Sequence, residues 1–148
     1  MIAVFAGNGD FPLEVLNSLK LKKIKYITLN LSKKKIKNSY NIQLGQFGKI
    51  INILKENKVK EVIFAGKVNR PNLTNLKFDL KALSYLPGLR RVFKKGDGNI
   101  LNFCRNILKQ NKIKVIESHK YCKDLLLSKT ITKKKPTTKD HKLSLIHI

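Results

Sequence analysis

Ile2-Ala3-Val4-Phe5-Ala6-Gly7-Asn8-Gly9-Asp10-Phe11-Pro12 opens the chain and decides its architecture. A short apolar run stops at a glycine turn. Pro12 then stands where a helix begins, with Leu13, Val15, Leu16 and Leu19 following at helical spacing. A continuous apolar run bounded by glycine is the pattern of a strand buried on both faces, and proline is favoured at the first helical position. The stretch therefore reads as strand, turn and helix, with the turn placed to meet a ligand.

The same alternation continues outward. Tyr26-Ile27-Thr28-Leu29 forms a second strand, and the lysine-rich segment from Ser32 to Lys37 is a surface loop. Ile42 and Leu44 suggest a short third strand with alternating faces. Phe47, Ile50, Ile51 and Leu54 mark an amphipathic helix whose start carries Gly45 and Gly48. Val62-Ile63-Phe64-Ala65 is the clearest buried strand, and it too ends in glycine, Gly66. Leu73, Leu76, Leu80, Leu83 and Leu86 then fit helical or turn-rich packing, interrupted by Pro87-Gly88. A helix starts near Asp97 and turns Ile100, Leu101, Phe103, Cys104, Ile107 and Leu108 inward; Ile113 to Ile116 is a last strand, and Tyr121 to Leu127 a last helix. Continuous apolar strands alternating with helices predict an α/β domain, Rossmann-like and three-layered, with a mainly parallel sheet over residues 1–129. Thr130 to Lys142 is polar, lysine-rich and without apolar period, so residues 130–148 read as a linker and a truncated or foreign tail.

At 148 residues the chain suits one domain, and its two cysteines, Cys104 and Cys122, read as reduced packing residues rather than a disulfide. No apolar run reaches a membrane-spanning length, which together with the reduced cysteines suggests a cytoplasmic protein. The formal charge of +23 raises nucleic acid or an anionic membrane surface as a partner. Only Arg70, Arg90, Arg91 and Arg105 among the 32 basic residues are arginine, the side chain that reads phosphates and bases with a planar fork, which argues against nucleic acid. Lysine, asparagine and isoleucine are all abundant, so compositional drift with a solvated surface is the competing account of the charge.

Three constellations carry candidate chemistry. Gly7, Asn8, Gly9 and Asp10 follow the first strand, where backbone amides approach an anion; a plain tight turn is the alternative. A dinucleotide fingerprint wants a third glycine where Pro12 stands and an acidic residue after the second strand, where Leu29-Asn30-Leu31 has none; NAD binding is disfavoured. Gly66, Lys67 and Arg70 follow another strand end, and the two cations suit a diphosphate or are simply solvated. Asp97, in Lys95-Gly96-Asp97-Gly98-Asn99, caps the next helix or contacts substrate or metal. His119, His141 and His147 show no metal spacing, and no nucleophile or general base stands out.

Taken in order, Ala6-Gly7-Asn8-Gly9-Asp10-Phe11-Pro12, Gly45-Gln46-Phe47-Gly48-Lys49 and Phe64-Ala65-Gly66-Lys67-Val68-Asn69-Arg70-Pro71-Asn72-Leu73 resemble the UDP-2,3-diacylglucosamine pyrophosphatases of the LpxI type. Leu86-Pro87, Gly96-Asp97 and Asp124-Leu125-Leu126, leading to Thr130 through Pro136, continue the resemblance over about residues 1 to 140. It departs at Gly98, where the family commonly has a second acidic residue. The resemblance implies hydrolysis of the diphosphate of UDP-2,3-diacylglucosamine to UMP and 2,3-diacylglucosamine 1-phosphate, in lipid A biosynthesis of a Gram-negative bacterium, with a divalent cation, usually magnesium. It further implies two domains, with the lipid substrate between them and the catalytic aspartate in the second. This chain matches the first domain alone, so no residue here inherits the catalytic role, the cation belongs mainly to the absent domain, and the isolated chain is expected to be inactive.

The expected substrate-binding set is Gly7, Asn8, Gly9, Asp10, Gly66, Lys67, Arg70 and Asp97. The expected partners are a UDP-linked lipid and, at the inner membrane, an anionic leaflet; a homodimer stays open. The alternative reading is a non-catalytic nucleotide or nucleotide-sugar binding module. A basic nucleic-acid binder ranks last, because interleaved aromatics for stacking are missing.

Overall fold

The computed structural model describes residues 1–68, 78–93 and 97–122. The elements run β1 (Ile2–Ala6), α1 (Phe11–Leu21), β2 (Tyr26–Asn30), β3 (Ser39–Asn41), α2 (Phe47–Glu56), β4 (Glu61–Ala65), α3 (Leu80–Phe93), α4 (Asp97–Gln110) and β5 (Lys114–Ile116), followed by a 3-10 turn at Ser118–Lys120. The five strands form one sheet in the order β3-β2-β1-β4-β5. Every pairing is parallel, with Ala6 opposite both Asn30 and Ala65.

The strand pattern explains the layers. Side chains alternate across a strand, so Ala3 and Phe5 of β1 and Val62 of β4 face α2 and α4, whereas Ile2, Val4, Ile63 and Ala65 face α1. Both faces are buried, which is why these strands read as unbroken apolar runs. The thick face carries Leu54, Ile107 and Leu108 in its core; the other is filled by Val15, Leu16 and Leu19 of α1 with Cys122. Cys104 and Cys122 form no disulfide.

Three helix-to-strand joints are built alike, and the similarity is written in the sequence. Leu19-Lys20-Leu21-Lys22-Lys23-Ile24, Leu54-Lys55-Glu56-Asn57-Lys58-Val59 and Leu108-Lys109-Gln110-Asn111-Lys112-Ile113 each end a helix. In each, the last residue's N–H donates back to the first residue's carbonyl: Ile24 to Leu19 at 3.0 Å, Val59 to Leu54 at 2.9 Å and Ile113 to Leu108 at 3.0 Å. The residue between carries a left-handed backbone, φ 53° at Lys23, 49° at Lys58 and 60° at Lys112. This closing motif usually has glycine there; lysine accepts steric cost in its place.

Several expectations are corrected. The third strand lies at Ser39–Asn41, not at Ile42 and Leu44. Its register is set by the free edge of β2, with Thr28 opposite Ser39, and the connection over residues 31–38 is a loop with no helical crossover. Ile42 follows the last pair and buries its side chain in the core, which produced the misleading alternation. Pro87-Gly88 does not interrupt α3, because the helix continues through both residues. Proline there removes one N–H, while a Cβ on Gly88 would come within 3.0 Å of the Phe103 ring, so the glycine lets α3 and α4 approach. Leu101 is exposed rather than turned inward. Tyr121 follows the 3-10 turn rather than opening a helix, and the rest of that expected helix lies outside the described residues.

Candidate functional site

The chain builds β1, β2 and β3 outward in one direction, then returns to place β4 and β5 on the other side of β1. The order reverses between β1 and β4, and ligands of open parallel sheets bind outside the carboxyl ends of the strands at that point. The two glycine turns sit there. Gly7 donates its N–H to the Ala65 carbonyl at 2.8 Å; Asn8 donates to Lys67 at 2.7 Å and Lys67 donates back to Asn8 at 2.9 Å. Asn8 and Lys67 thus form an antiparallel bridge across two loops far apart in sequence.

The glycines make that bridge sterically feasible. A Cβ at Gly7 would lie 2.6 Å from the Lys67 carbonyl oxygen. Gly66 adopts φ +82°, and a Cβ there would lie 2.6 Å from Pro12 Cγ and 2.7 Å from the Asn8 carbonyl. Gly9 adopts φ +100° with open space around it. Gly7 and Gly66 therefore hold the two loops together, while Gly9 is needed for the turn alone.

The start of α1 is unlike a dinucleotide cradle. Pro12 has no N–H, and the N–H groups of Leu13 and Glu14 both donate to the Asp10 carbonyl at 2.9 and 3.2 Å. Pro12 is buried against the space beside Gly66. Asp10 caps nothing with its side chain; its carboxylate lies 3.8 Å from the Lys34 ammonium in an exposed pair. Lys33, Lys34, Lys35 and Lys49 line a polar hollow beside Asn30 and Gln46. Asn30 is buried there, its amide donating to the Lys34 carbonyl at 2.8 Å and its oxygen accepting from the Ser32 N–H at 2.9 Å. With exposed Lys67, this edge is predominantly cationic.

Beside the turns lies an apolar cavity of ≈ 230 Å³. Phe5, Leu31 and Phe64 supply its sheet side, Phe47, Ile50 and Ile51 of α2 one wall, and Ile100, Cys104 and Ile107 of α4 the other. Phe5 and Phe64 sit opposite each other across β1 and β4, their ring centroids 5.2 Å apart. Burial pushes the Cys104 thiol up to about 11, so it is a neutral, apolar part of the wall.

Sequence reasoning missed two features. One is the cavity, because its lining follows the helical spacing of ordinary core; periodicity identifies an inward face but not whether that face is filled. The other is Asp79. One carboxylate oxygen accepts the Lys49 N–H at 3.0 Å and the other the Ala82 N–H at 2.8 Å, so a single side chain caps the first turns of both α2 and α3. An Asp just before a leucine-rich helix was the available signal.

Of the expected site residues, Gly7, Asn8, Gly66 and Lys67 are brought together, with Gly9 and Asp10 continuing the same turn. Asp97 opens α4, whose next turn lines the cavity; its side chain lies outside the described residues, as does Arg70. Among the described residues, no group of three or more His, Cys, Asp or Glu is placed to hold a metal ion. Among them too, no helix is long and apolar enough to cross a membrane.

The LpxI N-terminal domain family matches residues 1–125. A curated relative, the UDP-2,3-diacylglucosamine pyrophosphatase LpxI of Caulobacter vibrioides, is 28% identical over 105 residues, which cover 68% of this chain and 38% of the relative. The chain thus spans well under half the length of that relative. With the family matching from Met1 through the whole parallel sheet, the chain belongs to the LpxI N-terminal domain family.

Proposed function

We propose that this chain is the amino-terminal, substrate-holding half of a UDP-2,3-diacylglucosamine pyrophosphatase, acting in the hydrolysis of that lipid to UMP and 2,3-diacylglucosamine 1-phosphate for lipid A. The observation that carries the reading is the pair of glycine turns bridged through Asn8 and Lys67 at the reversal of strand order. There Gly7, Asn8, Gly9, Asp10 and Gly66 form one wall of a substrate cleft, and Lys67 offers a point charge to a diphosphate. Arg70 and Asp97 complete the set in this proposal.

By the family resemblance, catalysis belongs to the part of such enzymes beyond the matched span, which covers 38% of the relative. A divalent cation, magnesium by the family resemblance, belongs with that part. The cationic carboxyl edge favours an anionic inner leaflet as the surface from which the lipid is taken, with the chain on the cytoplasmic side. Contact with that leaflet should appear as binding to phosphatidylglycerol vesicles that salt abolishes; a homodimer is decided by sedimentation equilibrium.

The test is binding and turnover together. The purified chain should bind UDP-2,3-diacylglucosamine saturably and release no UMP with magnesium, and supplying the remaining domain of a relative should start release. Release of UMP by the chain alone, or absence of binding, would overturn the proposal. Binding of UDP with no release after the missing domain is supplied would favour a non-catalytic nucleotide module.

A further inference from the structure

A hollow of ≈ 520 Å³ lies between the last turns of α4 and the strand β5. It opens where α4 ends and β5 begins. That is the amino edge of the sheet, since β5 runs parallel to β4 with Lys114 opposite Glu61, whereas the glycine turns stand at the carboxyl edge. We propose that this hollow binds a phosphoryl group through Arg105, Lys109, Lys112 and Lys114, as an anion site separate from the turn that carries Lys67. The inference does not rest on the proposed function.

Helix geometry and the joint after it bring the four cations together. Arg105 and Lys109 stand one turn apart on α4 and so share a face. Lys112 occupies the left-handed joint at φ 60° and Lys114 opens β5, which turns both onto the same hollow. Among the described residues that line it, Glu117 is the one carboxylate; it follows the far end of β5 and lies 3.2 Å from His119. The carboxyl end of α4 is electronegative, and Lys109 in its last turn offsets that. Lys114 also faces Glu61 across the register, but the Glu61 oxygens already accept from Lys120 and Tyr121. The balance is strongly positive, and gathering like charges on a concave wall favours an anion between them.

Arg105 sets this wall apart from a solvated lysine face. Its Nε is buried and donates to no acceptor, although buried N–H groups are almost always paired. A phosphoryl oxygen beside it supplies the acceptor, and the full desolvation penalty of the lone donor is then removed. A guanidinium offers Nε with one Nη as a planar fork that phosphate oxygens match, while lysines act as point charges on the oxygens that remain. Arginine makes up only four of the 32 basic residues, so the fork at this place is not part of the general lysine excess. Solvated lysines account for Lys109, Lys112 and Lys114 alone; they leave the unpaired, water-excluded Nε unexplained. The cations also arrive from a helix, a joint and a strand. That spread of directions suits a phosphoryl group, with three acceptor oxygens and a charge near −2, better than a planar carboxylate.

The experiment titrates the full chain with inorganic pyrophosphate at constant ionic strength, following backbone amides and arginine Nε–H resonances by NMR. Saturable shifts are expected at Asn106, Lys109, Lys112 and Lys114, with the Arg105 Nε–H moving to lower field as it gains its acceptor. Arg105→Lys keeps the charge and removes the fork; it should weaken binding here about tenfold, whereas Lys67→Ala should leave this binding unchanged. Should Arg105→Lys fail to fold, the Nε–H of the unaltered chain decides the matter, and a resonance that pyrophosphate does not move refutes the site. Phosphatidylglycerol vesicles in place of pyrophosphate separate the sources of the group. Attenuation of the same amides by vesicles supports a lipid headgroup, and a response to pyrophosphate alone supports a soluble phosphate. Silence toward both probes, shifts that sodium chloride reproduces at equal ionic strength, or undiminished binding by Arg105→Lys would overturn the inference. So would a glutamate-rich peptide that binds these residues more tightly than pyrophosphate, because the hollow would then read carboxylates.

Discussion

Replacing Gly66 by alanine tests whether the bridge between the two turns is what the glycines serve. Two costs arise together at this position. The backbone sits at φ +82°, and the new Cβ would meet Pro12 Cγ at 2.6 Å and the Asn8 carbonyl at 2.7 Å. A non-glycine residue in a left-handed conformation costs about 1–2 kcal/mol. Relief of the clash must move backbone or a ring, and the nearest route breaks the two hydrogen bonds between Asn8 and Lys67, worth about 0.5–1.5 kcal/mol each. The expected loss is about 2–5 kcal/mol, read by urea denaturation followed by circular dichroism. Gly9→Ala separates the contributions, since φ is +100° but nothing lies within 4 Å of the new Cβ. Its cost should be near 1 kcal/mol, because the restricted unfolded chain offsets part of the strain. Gly98→Ala, helical and with nothing within 4 Å, should be neutral or stabilising by about 0.5–1 kcal/mol. A Gly66→Ala variant no less stable than Gly9→Ala would show that the close approach of the two turns does not depend on Gly66.

Asp79→Ala should cost about 1–3 kcal/mol, because one change removes a cap from each of two helices, and Asp79→Asn should cost less; equal melting of Asp79→Ala and the parent chain would rule out the shared cap. Lys58→Gly should stabilise the chain by about 0.5–1 kcal/mol by relieving φ 49° at the end of α2, measured by the denaturation midpoint, with Lys23→Gly and Lys112→Gly behaving alike. Glu61 accepts hydrogen bonds from Lys120 and Tyr121 at 2.9 Å each, and these, the Lys120 bond first, hold its carboxyl below its ordinary 4.5. A lowered carboxylate contributes stability that is complete above its ordinary value and fades as pH falls below 4.5, so Glu61→Gln should flatten the acid limb of the stability profile. The Glu61 hydrogen bond first, then burial and the Glu61 charge, raise Tyr121 above its ordinary 10.0 against the opposing effect of Lys120, so that contribution is present at neutral pH and lost as pH climbs beyond that value.

Much of the fold was legible because its strongest signals are local. Ile2–Ala6 and, within Glu61–Ala65, the residues from Val62 announce buried parallel strands through unbroken apolar runs, each stopped by glycine. Pro12 and the spacing of Val15, Leu16 and Leu19 place α1 without knowledge of the sheet. What failed depends on partners distant in sequence. Ser39–Asn41 is a strand only because β2 has a free edge opposite it, and its own residues are too polar to show this. Pro87-Gly88 passes through a helix because Phe103 of α4 packs at the glycine, a contact that no window around Pro87 contains. The three Leu-to-Ile or Leu-to-Val joints are visible as a repeat once their hydrogen bonds are known.

The site divides in the same way. The residue types of Gly7, Gly9, Gly66 and Lys67 pointed to the carboxyl edge, and the strand order brings them together. Their spacing alone did not reveal that Gly7 and Gly66 are required by one another's loops rather than by an anion. Nor did it separate the apolar cavity from the core, since Ile50 and Ile51 serve both.

Whether the bridged turns hold the diphosphate of a UDP-linked lipid is decided by titrating the chain with UDP-2,3-diacylglucosamine and following backbone amides. Saturable shifts centred on Gly7, Asn8, Gly9, Gly66 and Lys67 are expected, weakened about tenfold by Lys67→Ala, the loss of one charged contact. Saturable binding that leaves these amides unmoved, or that is indifferent to Lys67→Ala, would show that the turns do not hold it.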